Sequence, residues 1–184
     1  METITQKTIT AEEFFRMPNP PDGSQQELVR GVIITMPPPG GMHGVSCSKT
    51  NRRVGNFVDD RDLGTVTSND TGFITERSPD SVRGPDIAYW SRERLPEVPA
   101  GYIEIAPDML VEVFSPSNTS KQIRAKLTEY FAKGVRLVWV IAPEDRTLTI
   151  YRTSDEGRVL HDTATATGEY VLPGFTCRVS DLLP

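Results

Sequence analysis

Asp86 and Glu112 are the residues of this 184-residue chain whose setting best suits chemistry. Each lies in an apolar stretch that reads as a buried strand: Pro85-Asp86-Ile87-Ala88-Tyr89-Trp90 and Met109-Leu110-Val111-Glu112-Val113-Phe114-Ser115. A carboxylate in such surroundings is costly unless it is paired, hydrogen-bonded or bound to a metal. Neighbouring strands run about 4.8 Å apart, so carboxylates on adjacent strands can converge on one ion. Magnesium takes oxygen ligands and keeps several waters, so one or two carboxylates suffice to hold it. Such an ion neutralises charge on an attacked phosphate and lowers the pKa of its water. Asp108 competes for the role, but four residues of strand separate it from Glu112 by roughly 13 Å. It reads as a turn or cap. Ordinary readings stand beside the chemical ones: a capping aspartate for Asp86, a salt bridge for Glu112.

Phosphoryl chemistry also needs a cation near the developing charge. Lys126 is the candidate. On a helical wheel with Ile123 at zero, Leu127 falls near +40°, Tyr130 near -20° and Lys126 near -60°. Lys126 therefore borders the buried face, although simple snorkelling of its stem would give the same position. Lys121, Arg124 and Lys133 lie further round and are weaker candidates.

These residues need elements to position them. Thr10-Ala11-Glu12-Glu13 is a capping box and predicts a short helix over 11–17. Glu27 to Thr35 predicts a strand pair bent at Arg30-Gly31. The stiff loop Pro37-Pro38-Pro39-Gly40-Gly41 leads into a weakly amphipathic helix over 43–60, anchored by Val45, Val54, Phe57 and Val58. Short strands are expected near 65–67 and 72–75, then at 86–90 and 109–114. Ser117, Asn118, Thr119 and Ser120 offer N-caps for the next helix, and Gly134 its C-terminal cap. The apolar run Leu137–Ala142 predicts a central strand, paired with 147–151 through a turn. Asp181-Leu182-Leu183 would close over the core. The order suggests a mixed sheet with helices on its faces in a single domain, 1–184.

Bulk properties set bounds. The formal charge is -5, which counts against broad non-specific nucleic-acid binding but leaves room for a local basic patch. No signal sequence opens the chain, and its longest apolar run is too short for a membrane span. Cys47 and Cys177 fit reduced thiols in a cytoplasmic protein, and no Cys/His cluster is visible that would hold a structural zinc.

Together these segments resemble the PD-(D/E)XK nuclease superfamily, with its restriction-endonuclease-like fold. The chain is more closely similar to a large bacterial family of uncharacterised restriction-endonuclease-like proteins. The resemblance runs over most of the chain. It is carried by Glu27-Leu28-Val29-Arg30-Gly31, His43, Gly84 to Tyr89, Pro107 to Ser117, Lys126 to Tyr130, Gly134 and Leu137 to Val140. It implies that Asp86 and Glu112 hold magnesium, or manganese in its place, with the backbone carbonyl of Val113. The superfamily pattern places lysine at position 114, where this chain has Phe114. Some members are similar in supplying the lysine from the following helix, as Lys126 would here. Glu27 would join the metal shell or hold Lys126, and His43 would contact phosphate or assist proton transfer. A strand-edge salt bridge and a helix-start histidine are their ordinary readings.

The implied activity is metal-dependent hydrolysis of DNA phosphodiesters, in a homodimer. Arg30, Lys49, Arg52, Arg53 and Arg83 are then candidates for contacting DNA, although a solvated helix face accounts equally for the 49–53 cluster. The alternatives are a catalytically silent nucleic-acid-binding or interaction module on the same fold, for which Phe114 speaks, and a two-carboxylate glycosidase. The last needs aromatic platforms in an open cleft, whereas Trp90 and Trp139 fall in strands that read as buried.

Overall fold

The computed structural model describes residues 8–114 and 119–184. The chain forms α1 (Ala11–Phe15), β1 (Gln25–Val29), β2 (Val32–Met36), α2 (Gly41–Asp59), β3 (Gly64–Ser68), β4 (Phe73–Glu76), β5 (Ser81–Arg83) and β6 (Ile87–Ser91). It continues with β7 (Met109–Val113), α3 (Ser120–Lys133), β8 (Leu137–Ala142), β9 (Thr147–Tyr151), β10 (Gly157–His161), β11 (Thr165–Gly168), β12 (Leu172–Arg178) and a 3-10 turn at Val179–Leu182. The main sheet has the order β10-β9-β8-β7-β6-β3, with β7 and β8 parallel and the other pairs antiparallel. A smaller sheet runs β2-β1-β5-β4, and β11 pairs with β12.

Alternation along the strands divides the core. Ile87, Tyr89, Met109, Val111, Val113, Trp139 and Ile141 pack with Val54 and Val58 of α2 and with Leu182 and Leu183, the expected C-terminal cap. Ala88, Trp90, Leu110, Val138 and Val140 pack on the other face with Leu127 and Tyr130 of α3. Glu112 is two residues from Leu110 and so shares the α3 face. Leu110, Val111 and Val113 are almost fully buried, each worth about 1.5–3 kcal/mol. That burial holds β7 in the sheet although the strand carries a charge.

The parallel β7 and β8 need a crossover, which α3 supplies. Thr119 caps α3 in a capping box with Gln122, and Gly134 ends it at φ 104°. Ser117 and Asn118, the other cap candidates beyond Ser120, lie outside the described residues, as do Ser115 and Pro116. The β1–β2 connection is a two-residue hairpin turn with Arg30 at φ 49° and Gly31 at φ 77°. A Cβ on Gly31 would lie 2.4 Å from Cβ of Thr8, so glycine is required there for space as well as dihedral. One boundary matters for the site: β6 begins at Ile87, leaving Asp86 just before the strand. Among the described residues, no helix is long and apolar enough to cross a membrane.

Candidate active site

Glu112 is 7% exposed, and α3 closes over it. The Lys126 ammonium lies 3.2 Å from both of its oxygens, and the Tyr130 hydroxyl donates to Oε1. Lys126 and Tyr130 are four residues apart on one helical face, so one helix register delivers both. Lys126 also lies 2.9 Å from Oε1 of Glu27, which arrives from the smaller sheet on β1. Glu27 accepts from Arg83 Nη1 at 2.9 Å and from the Gly84 amide at 3.3 Å. The far side of the Arg83 guanidinium faces Glu129 of α3, with Nε 3.0 Å from each carboxylate oxygen. The Thr75 hydroxyl donates to the same carboxylate. Charges thus alternate in one line: Glu112, Lys126, Glu27, Arg83, Glu129.

Asp86 lies beside this line. Continuing the Ile87↔Val111 register by one residue sets it against Glu112. Its Oδ2 accepts the Val113 amide at 2.7 Å, and its Oδ1 lies 3.1 Å from Nε2 of His43. His43 is in the first turn of α2, with Nδ1 3.4 Å from Sγ of Cys47 one turn later. A cavity of about 280 Å³ opens here, lined by Gln25, His43, Cys47, Asn51, Asp70 and Asp86 among others. Asp70 accepts from Gln25 Nε2 at 2.5 Å.

The electrostatics follow from burial and from crowded carboxylates. Burial pushes Glu112 up to about 7, helped by Asp86 and Glu27 and opposed by Lys126. Burial also works against the charge of Lys126, but Glu112 and Glu27 outweigh it and its pKa is raised. Two carboxylates thus face the one ammonium and favour its charged form. Burial raises Glu27 less than Lys126 and Arg83 lower it, so it remains ionised. Burial and the charge of Asp86 lift Asp70 to about 6. For His43, desolvation is overcome by Asp86, Asp70 and Glu112, and its pKa rises.

These residues suit a hard divalent cation. Five carboxylates (Glu27, Asp70, Asp86, Glu112, Glu129) gather around Lys126, Arg83 and His43, so negative charge is in excess. A carboxylate offers about four lone-pair positions. The contacts of Glu112 use three and those of Asp86 two, leaving acceptor capacity on each. The site also holds a set that the sequence did not disclose. One ligand atom each from His43, Cys47 and Asp86 lie within 4.8 Å of one another, which corrects the expectation that no Cys/His cluster would form.

The fold therefore gathers Glu27, His43, Asp86, Glu112 and Lys126 into one place. Arg83 is corrected: expected among cations facing DNA, it is 8% exposed and committed to Glu27 and Glu129. Arg30 is exposed in the β1–β2 turn. Lys49, Arg52 and Arg53 lie on the flank of α2 that faces the C-terminal turn. There the Lys49 ammonium donates to the Leu183 carbonyl and Arg53 pairs with Asp181 at 3.3 Å, while Arg52 is exposed. Asp108 is a staple at the far end of β7, accepting from the Ser91 amide at 2.7 Å and from Arg136 at 2.9 Å. Sequence reasoning missed Cys47, Asp70 and Glu129, and took Tyr130 only as core. The signals available were the i, i+4 spacing of His43 and Cys47 and the i, i+3, i+4 spacing of Lys126, Glu129 and Tyr130.

A family model described as "Uma2: Putative restriction endonuclease" matches residues 11–180. The chain belongs to the Uma2 family. The match spans both sheets' contributions to the site, from α1 to the C-terminal turn. The chain is also similar to a solved structure whose title reads "Crystal structure of a putative nuclease belonging to DUF820 from Anabaena variabilis ATCC 29413". The two share 24% identity over 95% of this chain and 97% of that one, with a TM-score of 0.78. That likeness establishes the fold, and the expected mixed α/β architecture is the one found. No curated protein matches the chain.

Proposed function

We propose that this member of the Uma2 family is a metal-dependent DNA endonuclease and that its site is the cluster around Glu112. The observation that carries this reading is the buried Glu112 carboxylate held by Lys126 and Tyr130 beside Asp86. A charge this deep is costly to keep, and structural pairing alone does not call for five carboxylates around so few cations. Asp86 and Glu112 would hold the ion, with the Val113 carbonyl as a third ligand. Magnesium, or manganese in its place, supplies charge neutralisation at the phosphate and a bound water of lowered pKa.

The chain's own groups do the rest. Lys126 orients the attacking water, which gives up a proton to solvent, and stabilises the extra negative charge as the water oxygen bonds to phosphorus. Glu27, itself anchored by Arg83, holds Lys126 in place, and Tyr130 fixes the rotamer of Glu112. The bond to the leaving oxygen breaks, and His43, whose pKa the neighbouring Asp86 raises against burial, is within the site to donate a proton to that oxygen. Of the cations expected to contact DNA, the exposed Arg30 and Arg52 would follow its backbone, whereas Lys49 and Arg53 are engaged by the C-terminal turn. A homodimer would present two such sites to two strands.

Plasmid nicking in magnesium or manganese tests the reading. Asp86→Asn, Glu112→Gln and Lys126→Ala should each lower the rate by about 10²–10³-fold. Equal activity in all four proteins removes the site. A wild type that binds DNA but never nicks it favours the silent binding module, for which the lysine-free position at Phe114 is the motivating feature.

A further inference from the structure

We propose that His43, Cys47 and Asp86 form a second metal site, selective for zinc-class ions, that shares Asp86 with the oxygen-only site. His43 and Cys47 project from one face of α2 a single turn apart, and Asp86 meets them from the entrance of β6. Nδ1 of His43 lies 3.4 Å from Sγ of Cys47, and Nε2 lies 3.1 Å from Oδ1 of Asp86. A tetrahedral ion with bonds of about 2.0 Å to nitrogen or oxygen and 2.3 Å to sulfur has ligand-to-ligand edges of about 3.3–3.5 Å. The two spacings start from different ring nitrogens, so one of them at most can become an edge; taken one atom per residue, the three ligand atoms lie within 4.8 Å of one another. One imidazole nitrogen serves the ion, and rotation of the ring and the thiol draws the remaining spacings in to tetrahedral edges. The cavity beside it, about 280 Å³, leaves room for water at the fourth position, and the Asp70 carboxylate on its wall adds negative potential.

The donor chemistry separates the two sites. Nitrogen and sulfur select a softer ion than magnesium, and the thiol proton is released to solvent as the metal–sulfur bond forms. Asp86 cannot fully serve both sites, so a zinc-class ion at His43 and Cys47 withdraws a ligand from magnesium. Inhibition by zinc follows; that consequence rests on the function proposed above, whereas the binding site itself does not.

Cobalt(II) titration of chelator-treated protein provides the test, independent of any nuclease assay. One equivalent per chain should bind with a near-ultraviolet thiolate-to-cobalt absorption, and zinc should abolish that band. Cys47→Ser and His43→Ala should lose the band and weaken zinc binding by at least about tenfold, with Cys177 still present as an internal control. Glu112→Gln should keep both, which separates this site from the oxygen-only one. Cobalt binding without thiolate absorption, or unchanged zinc affinity in a folded Cys47→Ser protein, overturns the proposal. A cobalt band in a protein that never cuts DNA leaves this site standing and removes only the function.

Discussion

Glu112 sits beneath the Tyr130 hydroxyl and the Lys126 ammonium, so most of its acceptor capacity is engaged within the fold. Removing the hydroxyl with Tyr130→Phe deprives a buried carboxylate of a donor, and urea denaturation should show a loss of about 1–3 kcal/mol. Asp70 makes a second prediction, about pH. Its folded pKa, about 6, exceeds its ordinary value of 3.8, so between these limits the folded state binds more proton than the unfolded one. Stability from this group is therefore greatest below about pH 4, falls as pH rises towards 6, and is level above. In chelated, metal-free protein, Asp70→Asn should remove that fall. It should be more stable than wild type above pH 6, by on the order of 1 kcal/mol after allowance for partial exposure, and equal near pH 4. Chemical denaturation at several pH values measures the difference. A stability difference between the two proteins that stays constant from pH 4 to 6 would contradict it.

The unit that places Lys126 is β7, α3 and β8, and it was the part most open to reading from sequence. Apolar runs marked both strands, helical spacing marked α3, and Gly134 marked its end. That cap predicts a cost: Gly134 sits at φ 104°, and Gly134→Ala should lower stability by about 1 kcal/mol, read as a drop in melting temperature. Other features were not legible, for physical reasons. Glu129 reads as an ordinary helix-surface carboxylate, because its partner Arg83 is 46 residues away on β5. Cys47 looked isolated because its spacing to His43 becomes a cluster only when Asp86 arrives from another element. Periodicity reports which face of a strand is buried and not which strand lies beside it, so the division into separate sheets was hidden. Asp86 was placed inside a strand, whereas it stands just outside β6, where its carboxylate is free to reach both the Val113 amide and His43.

At the scale of the whole molecule, two arginines stand in contrast. Arg83 is buried between two carboxylates, and Arg83→Met should destabilise by about 3–5 kcal/mol through the unpaired charges left behind, as thermal melting would show. Arg52 is exposed, and Arg52→Ala should leave the melt unchanged while lowering the salt dependence of DNA binding by about one unit of slope. An unchanged slope would place the DNA elsewhere. The alternating line of charges has one more consequence. Glu27 belongs to the small sheet, Glu112 to the large one, and Lys126 and Glu129 to the helix over it, with Arg83 reaching back from the small sheet. The joint between the sheets is made of the same side chains as the proposed chemistry. Amide protons of β1 and α3 should then exchange with solvent as one cooperative unit, and the molecule cannot loosen its smaller half without disarming itself.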